Sequence, residues 1–478
     1  VSGEAPHSDL ERRPDEPAPE SDAVKLAETE ALYGVSPEAV ARARRAVGEG
    51  NLEQIEKLVD ELHPADFADL LQELTPDERR FVIKVCRHIL EPETLNYLDE
   101  AVREEVIGLM SPVEVAQAVS ELETDDAVDI LEDLDENEKQ RVLRAIPAAD
   151  RAVIEQGLTY PEDSAGRLMQ RDLVAVPQHW TVGEAIDYLR ANEDLPDDFY
   201  DLFVVDPMHK PVGAVPLSRA MRNKRAVKLE ALMHTEFRAV KATMDQESVA
   251  YLFRQYGLMS APVVDEAGRL LGVITVDDVV HVIEEEAEED LLGIVGVSET
   301  DFHAPPLETA WRRVRWLVVT LCNSAIASTV ISQFEATIEQ IVALAILMPI
   351  VAAMGGNAGV QVITVMVRAL ATRDLQPRGS NIWRVVGKEI AVATINAAVF
   401  ALIMGTFASI FFGIPIGLVL AAAMIFNMIW AGIAGTVIPL TLARFKIDPA
   451  IGAGPFLTTT TDVFGFFSFL GLATLFLL

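Results

Sequence analysis

The sequence predicts a multidomain membrane protein: an all-α, superhelical and acidic amino-terminal domain, a duplicated α/β module, an acidic linker helix and a five-helix α transmembrane domain. Three observations predict it. The first is a division of charge. Residues 311–478 hold 10 Lys and Arg against 6 Asp and Glu, so the overall −34 resolves into +4 for that part and −38 for residues 1–310. The second is a strand and helix pattern that occurs twice between residues 163 and 283. The third is a series of five apolar stretches, 316–334, 341–367, 390–412, 416–442 and 451–478, each able to cross a hydrocarbon core that needs about 20 residues. The expected boundaries are a disordered tail over 1–22, the helical domain over 23–160, the duplicated module over 161–284, the linker helix over 285–310 and the membrane domain over 311–478.

The tail is expected to stay disordered because Pro14, Pro17, Pro19 and scattered charges leave too little apolar surface to bury. From residue 23 to 158 the apolar spacing is helical throughout. LHPADFADLLQEL (62–74) and MSPVEVAQAVSEL (110–122) share a proline near the helix start and acidic first turns. Short helices with similar openings stack into a superhelix. Asp125, Asp126 and Asp129 lie on or near one helical face within a dense acidic stretch, which reads either as a solvated surface or as a cation-binding one.

The duplication pairs LFVVDPMHKPVGAVPLSRAM with APVVDEAGRLLGVITVDDVV, matching Val205 and Asp206 to Val264 and Asp265, and Gly213 to Gly272. Directly after it, HVIEEEAEED places six acids within the seven residues 284–290. On a helix such a run repels itself by a few tenths of a kcal/mol for each like-charged i,i+4 pair. A divalent ion shared with acids of another domain would remove that repulsion, and solvation is the simpler alternative.

In the membrane part, FLTTTTDVFGFFS (456–468) carries Asp462 deep within the last apolar stretch. A carboxylate at the bilayer centre is disfavoured by about 2.5–3.5 kcal/mol even on the lenient insertion scale, so it faces a bundle interior or a water-filled path. Thr458 shares its helical face, Thr461 adjoins it in the chain, and Pro455 frees a carbonyl one turn back. A protonated Asp462 hydrogen-bonded to a neighbouring helix is the alternative. In the second stretch Asn357, Gln361 and Thr364 share one face, and in the fourth Asn427 precedes the small residues Ala431 and Ala434. Arg312, Arg313 and Arg315 precede the first stretch, and Arg and Lys fill the second and fourth connections. The positive-inside rule then puts the amino-terminal half in the cytoplasm and the carboxy terminus outside a plasma (inner) membrane.

Several classes are excluded. An acidic soluble half does not suit nucleic acid, whose phosphates need Lys and Arg. Two cysteines, Cys86 and Cys322, supply neither a disulfide framework nor a Cys-based zinc site. The histidines form no HxxxH or HExxH arrangement, and no nucleophile and base pairing or phosphate-cradling loop marks an enzyme.

Both copies of the duplicated module carry the VVD turn and a following strand that opens with Gly, and together they resemble a tandem CBS pair. That resemblance implies an adenine nucleotide such as ATP, with Thr275 and Asp278 matching the ribose-binding pattern; Pro216 and Arg219 stand at the equivalent positions of the first copy and remove half of it. The whole order, with GGNAGVQ (355–361), RALATRDL (368–375), DPA (448–450) and TTDVFG (460–465), resembles the MgtE family of magnesium channels and transporters. The family implies a homodimer in a lipid bilayer with the pore between subunits, Mg2+ bound at Asp462 through its water shell, and Asp448 near the cytoplasmic mouth. Asn357, Gln361, Asn427, Thr458 and Thr461 are the further pore candidates. It also implies closure by Mg2+ at cytoplasmic sites, which by position carries to Asp125, Asp126, Asp129, Asp278, Glu286, Glu289 and Asp290. Members often have Asn where Gly454 stands. Two other functions fit the same features: a CBS-bearing magnesium sensor that does not conduct, and a proton- or sodium-coupled exchanger of divalent cations.

Overall fold

The computed structural model describes residues 34–192, 195–196, 198–294, 296–297, 306–373, 375 and 381–478. The tail expected over 1–22 lies outside them, as do residues 298–305 of the linker. The described chain separates into two compact units that divide between residues 160 and 161.

The first unit is helical: α1 (Pro37–Glu49), α2 (Leu52–Asp60), α3 (Pro64–Glu73), α4 (Pro76–Cys86), α5 (Glu100–Gly108), α6 (Pro112–Glu121), α7 (Thr124–Glu132), α8 (Glu136–Ala145) and α9 (Ala148–Gly157). Four of these helices open alike, with Ser36, His63, Thr75 and Ser111 in extended backbone before a proline at the first helical position. Proline there has its φ already set and lacks only an N–H that the helix leaves unused. At Thr75 and Ser111 the cap is reciprocal, since the backbone N–H groups donate to Glu78 (2.9 Å) and Glu114 (2.7 Å) three residues on. Such caps contribute about 1 kcal/mol each, which short helices need. The rest comes from one continuous core that includes Phe67, Leu71, Ile83, Leu95, Ile130 and Leu131.

The second unit begins with the duplicated module. Its first copy comprises β1 (Ala175–Pro177), α10 (Val182–Ala191), β2 (Asp201–Val205), β3 (Pro211–Pro216) and α11 (Leu217–Met221). The second comprises β4 (Val240–Lys241), α12 (Gln246–Tyr256), β5 (Ser260–Val264), β6 (Leu270–Thr275) and α13 (Val276–Gly293). Each copy forms one three-stranded sheet, a parallel pair followed by an antiparallel pair. The registers correspond, with Val204 opposite Gly213 and Val263 opposite Gly272, and the same irregularity one residue later. The VVD aspartates fix the turns: Asp206 Oδ1 accepts from the N–H groups of Met208 and Lys210, and Asp265 Oδ1 from those of Ala267 and Arg269, at 2.8–2.9 Å.

The two glycines have a purpose the duplication alone does not disclose. A β-carbon at Gly213 would stand 2.7 Å from Met233 Sδ, and one at Gly272 would stand 2.5 Å from the Gln170 carbonyl and 3.1 Å from Met169 Sδ. Each copy's leading Leu-Met segment therefore packs on the other copy's third strand. Backbone hydrogen bonds between Gln170 and Val273, and between Ala214 and His234, fasten the exchange.

The expected boundary at residue 284 falls inside α13, which runs unbroken from Val276 through the acidic run to Gly293. Val279 and Val282 are buried on it.

The membrane part follows as α14 (Pro306–Ser332), the short α15 (Glu335–Gln340), α16 (Ala343–Ala371), α17 (Ile382–Phe412), α18 (Ile414–Arg444) and α19 (Pro449–Leu477). Among the described residues, five helices are long and apolar enough to cross a bilayer, and they coincide with the five stretches expected. The most enclosed is α18, which packs against α16, α17 and α19. Leu344 and Leu347 of α16, Leu420 and Ala423 of α18 and Phe469 of α19 form the main membrane core.

Candidate cation path and acidic cluster

The helix that carries Asp462 starts at Asp448, whose carboxylate accepts from Ala450 N–H at 2.7 Å ahead of Pro449. Further in, the Pro455 carbonyl accepts from Asn323 Nδ2 of α14 at 3.2 Å and from Thr459 Oγ1 at 2.7 Å. Asp462 is half-buried, and Thr458 one turn before it is exposed. The Thr458 hydroxyl donates to the Gly454 carbonyl at 3.1 Å, which leaves its oxygen able to accept. On α16, Asn357, Gln361 and Thr364 all lie on the exposed side. The membrane part thus presents polar side chains on the surfaces of two packed helices, α16 and α19.

Two candidates for this path lie elsewhere. Thr461 is wholly buried, with its hydroxyl spent on the Leu457 carbonyl at 3.0 Å. Asn427, expected to line the path, is enclosed among α16, α18 and α19 and donates to the Val351 carbonyl at 2.9 Å. Thr461 adjoins Asp462 in the chain, but successive residues of a helix point about 100° apart, and Asn427 lies on a helix apolar nearly all round, where no polar stripe marks which neighbour a side chain meets.

The acids of α13 collect partners from distant parts of the chain. Glu286 accepts from Gln246 Nε2 at 2.8 Å. Burial, then Glu247, Glu289 and Asp245, push its carboxyl up to about 7 against that hydrogen bond. Asp290 is raised to about 6 by burial, then by Asp448, Glu286 and Glu289. Glu289 is raised by burial, Asp448 and Asp163. Glu247 is also raised by burial, opposed by Arg373 and reinforced by Asp245, Asp290 and Asp448. One cluster therefore joins the start of α12, the acidic run of α13 and the N-cap of the Asp462 helix. Sequence reasoning missed Asp245 and Glu247, whose signal is the acidic opening DQE of α12. Mutually raised carboxylates with oxygen-only donors suit a hard divalent cation, which would take the place of the protons they otherwise retain.

A pH prediction follows. Glu286 and Asp290 hold protons more tightly folded than unfolded, so without divalent ions the packing of α13 is favoured at low pH. That stability is lost as pH rises from about 4.5 through about 7. Proteolysis of α13 in chelator should accelerate between about pH 5 and about pH 8, and Mg2+ should slow it most at the upper end. Cleavage that slows as pH rises in chelator would contradict the cluster's charge state.

The remaining regulatory candidates have other surroundings. In the first unit, Arg103 is buried and donates to Asp129 at 2.6 Å and to Asp133. Burial disfavours the guanidinium charge, but the two aspartates reverse this and hold Arg103 above its ordinary value. Asp129 thus already has a cationic partner, which it shares with Asp133. Asp126 accepts from Asn96 Nδ2 at 2.5 Å, and Asp125 is buried. In the second unit, Asp278 accepts from the Thr275 hydroxyl at 2.7 Å and from Gln170 Nε2 at 3.2 Å. The pair expected to hold a ribose is joined to itself, and Arg219 of the first copy lies 2.9 Å from His234.

Five membrane-length helices and a carboxylate within the last of them define a multi-pass membrane protein with an acidic side chain at membrane depth. Comparison with known proteins agrees in each part. The MgtE divalent cation transporter family model matches residues 348–472, the MgtE intracellular N domain 62–163, and the CBS domain 165–225 and 229–285. The magnesium transporter MgtE of Thermus thermophilus is 32% identical over 443 residues, 91% of this chain and 97% of that protein. That of Bacillus subtilis is 29% identical over 434 residues, 90% of this chain and 95% of that protein. A crystal structure of the cytosolic domain of the Mg2+ channel MgtE in complex with ATP, 30% identical, covers 51% of this chain and 99% of that one with a TM-score of 0.48. The chain belongs to the MgtE family, whose curated members named here are transporters and not enzymes.

Proposed function

We propose that this chain conducts Mg2+ into the cell across the plasma (inner) membrane as a homodimer, with Asp462 as the residue that meets the hydrated ion and Mg2+ at the acidic cluster as the signal that closes the path. The observation that carries the reading is Asp462 itself, half-buried at membrane depth beside the exposed Thr458. Mg2+ releases water reluctantly and is held by one or two carboxylates plus retained waters, a demand that one aspartate from each of two subunits meets. The exposed Asn357 and Gln361 support a second copy, because polar groups at membrane depth face protein or water in preference to lipid. Asp448 stands at the cytoplasmic mouth. Inward flow is downhill in a cell negative inside, since a divalent ion gains about 4.6 kcal/mol per 100 mV.

Closure follows from linkage. Glu286, Glu289, Asp290, Asp245, Glu247 and Asp448 repel one another, and a bound cation converts that repulsion into attraction that draws α13 onto the Asp462 helix. Asp125, Asp126 and Asp278 are assigned to the same regulatory layer, while the Arg103 pair leaves Asp129 a weaker ligand. At the CBS pair we assign one adenine nucleotide site, at Thr275 and Asp278, where the ribose hydroxyls replace the hydrogen bond between them.

The test is limited proteolysis of the purified protein in membrane mimetic. Mg2+ at about 100 times its dissociation constant adds about 2.7 kcal/mol to whatever state binds it, so cleavage within 284–290 should slow at least about tenfold relative to chelator. Equal cleavage with and without Mg2+ would place the sensing region elsewhere.

A further inference from the structure

Asn427 stands within α18 with none of its surface exposed. An amide sits in such a place only where its polar atoms or its shape have a purpose. Its Nδ2 donates to the Val351 carbonyl of α16 at 2.9 Å, and its Oδ1 has no partner among the described residues. Shape accounts for the rest. A β-carbon at Gly355 of α16 would stand 2.1 Å from Nδ2, and one at Gly465 of α19 would stand 2.6 Å from the same atom. One side chain therefore occupies room that two glycines on two other helices leave open. Trp430, one turn along α18, stacks on Phe464 with ring centroids 4.7 Å apart and planes 16° apart, so the same turn of α19 is held twice.

Gly465 lies three residues after Asp462, and Gly355 two residues before Asn357. We propose that Asn427 is a positioning residue: by filling both glycine notches it fixes the rotation of α19 against α16, and so the direction in which Asp462 faces the ion. The proposal rests on the assignment of Asp462 as the residue that meets the ion. Side chains reach about 5–6 Å from a helix axis, so a rotation of about 20° carries a carboxylate about 2 Å. That displacement is comparable to a hydrogen-bond length, and a site that holds an ion through its water shell depends on it.

The test uses full-length Asn427→Ala, Gly465→Ala and the double variant in liposomes, with Mg2+ and Ca2+ flux and thermal unfolding in detergent. Alanine is the better helix former, so any loss in Gly465→Ala comes from crowding against Asn427. Each single variant should raise the half-saturating Mg2+ concentration at least about threefold and lower the Mg2+ to Ca2+ flux ratio. The double variant should be impaired at least about threefold less than the product of the singles, since the smaller residue 427 makes room for the added methyl. Should Gly465→Ala fail to assemble, recovery of assembly in the double variant reads the same contact. Parental half-saturation and flux ratio in Asn427→Ala would overturn the proposal, as would strictly multiplicative effects. Asp462→Ala in the same preparation separates the two readings: parental flux there removes the ion residue itself, whereas a dead Asp462→Ala with multiplicative singles removes only the positioning role.

Discussion

Purified Asp462→Ala in liposomes is expected to lose divalent cation flux by at least about a hundredfold while the protein still assembles, with Asp462→Asn intermediate. The size follows from what the carboxylate does. A divalent ion that enters a low-dielectric path with its inner waters loses the bulk solvation beyond them, and a carboxylate about 4 Å away returns about 4 kcal/mol per unit charge at an effective dielectric of about 20. Loss of about 2.7 kcal/mol of that stabilisation is already a hundredfold in rate. Asparagine keeps the shape and an acceptor oxygen but not the charge, hence its intermediate place. Assembly should survive because the core around α19 rests on Leu457, Phe469, Leu470 and Ala473, which the substitution leaves alone. Flux at the parental level from Asp462→Ala would show that the carboxylate is structural.

Much of this architecture is visible in the residues themselves, for identifiable reasons. A bilayer imposes a length, so 20-residue apolar runs are unambiguous, and the starts of four helices are spelled out by Ser, His or Thr before proline. Helix ends are less legible: α17 begins at Ile382 and not near 390, because Trp383, Arg384 and Lys388 interrupt the apolar run without interrupting the helix. The duplication is legible from VVD and the glycines, but not the crosswise packing of Met169 and Met233, which pairs residues far apart in sequence. The same limit governs the sites. Asp462 is conspicuous because a charge is rare among apolar neighbours, while Asp245 and Glu247 are ordinary acids in an acidic domain until α12, α13 and α19 bring them together. Asn427 is the converse: a polar residue whose neighbours are decided by packing, and whose enclosure leaves no periodic trace in a helix apolar all round.

The acidic run of α13 supports the second large effect. In the proposed closed state, cations bridge Glu286, Glu289 and Asp290 to Asp448 and to the opening of α12, and removal of any of these carboxylates weakens cation binding to that state. A ligand shifts an equilibrium only by its differential affinity for the two states. Combined replacement of Glu286, Glu289 and Asp290 by Ala should therefore raise the Mg2+ concentration needed for closure at least about tenfold, while maximal flux, set by Asp462 and Thr458, is unchanged. The substitutions also remove like-charge repulsion, which acts in the opposite direction: without cations the neutral helix packs against the Asp462 helix more readily. The two effects separate by titration, because loss of ligands moves the midpoint up and relief of repulsion lowers flux at zero Mg2+. Measured flux across a Mg2+ series decides between them, and closure of the triple variant at lower Mg2+ than the parent would mean that repulsion among these acids holds the path open.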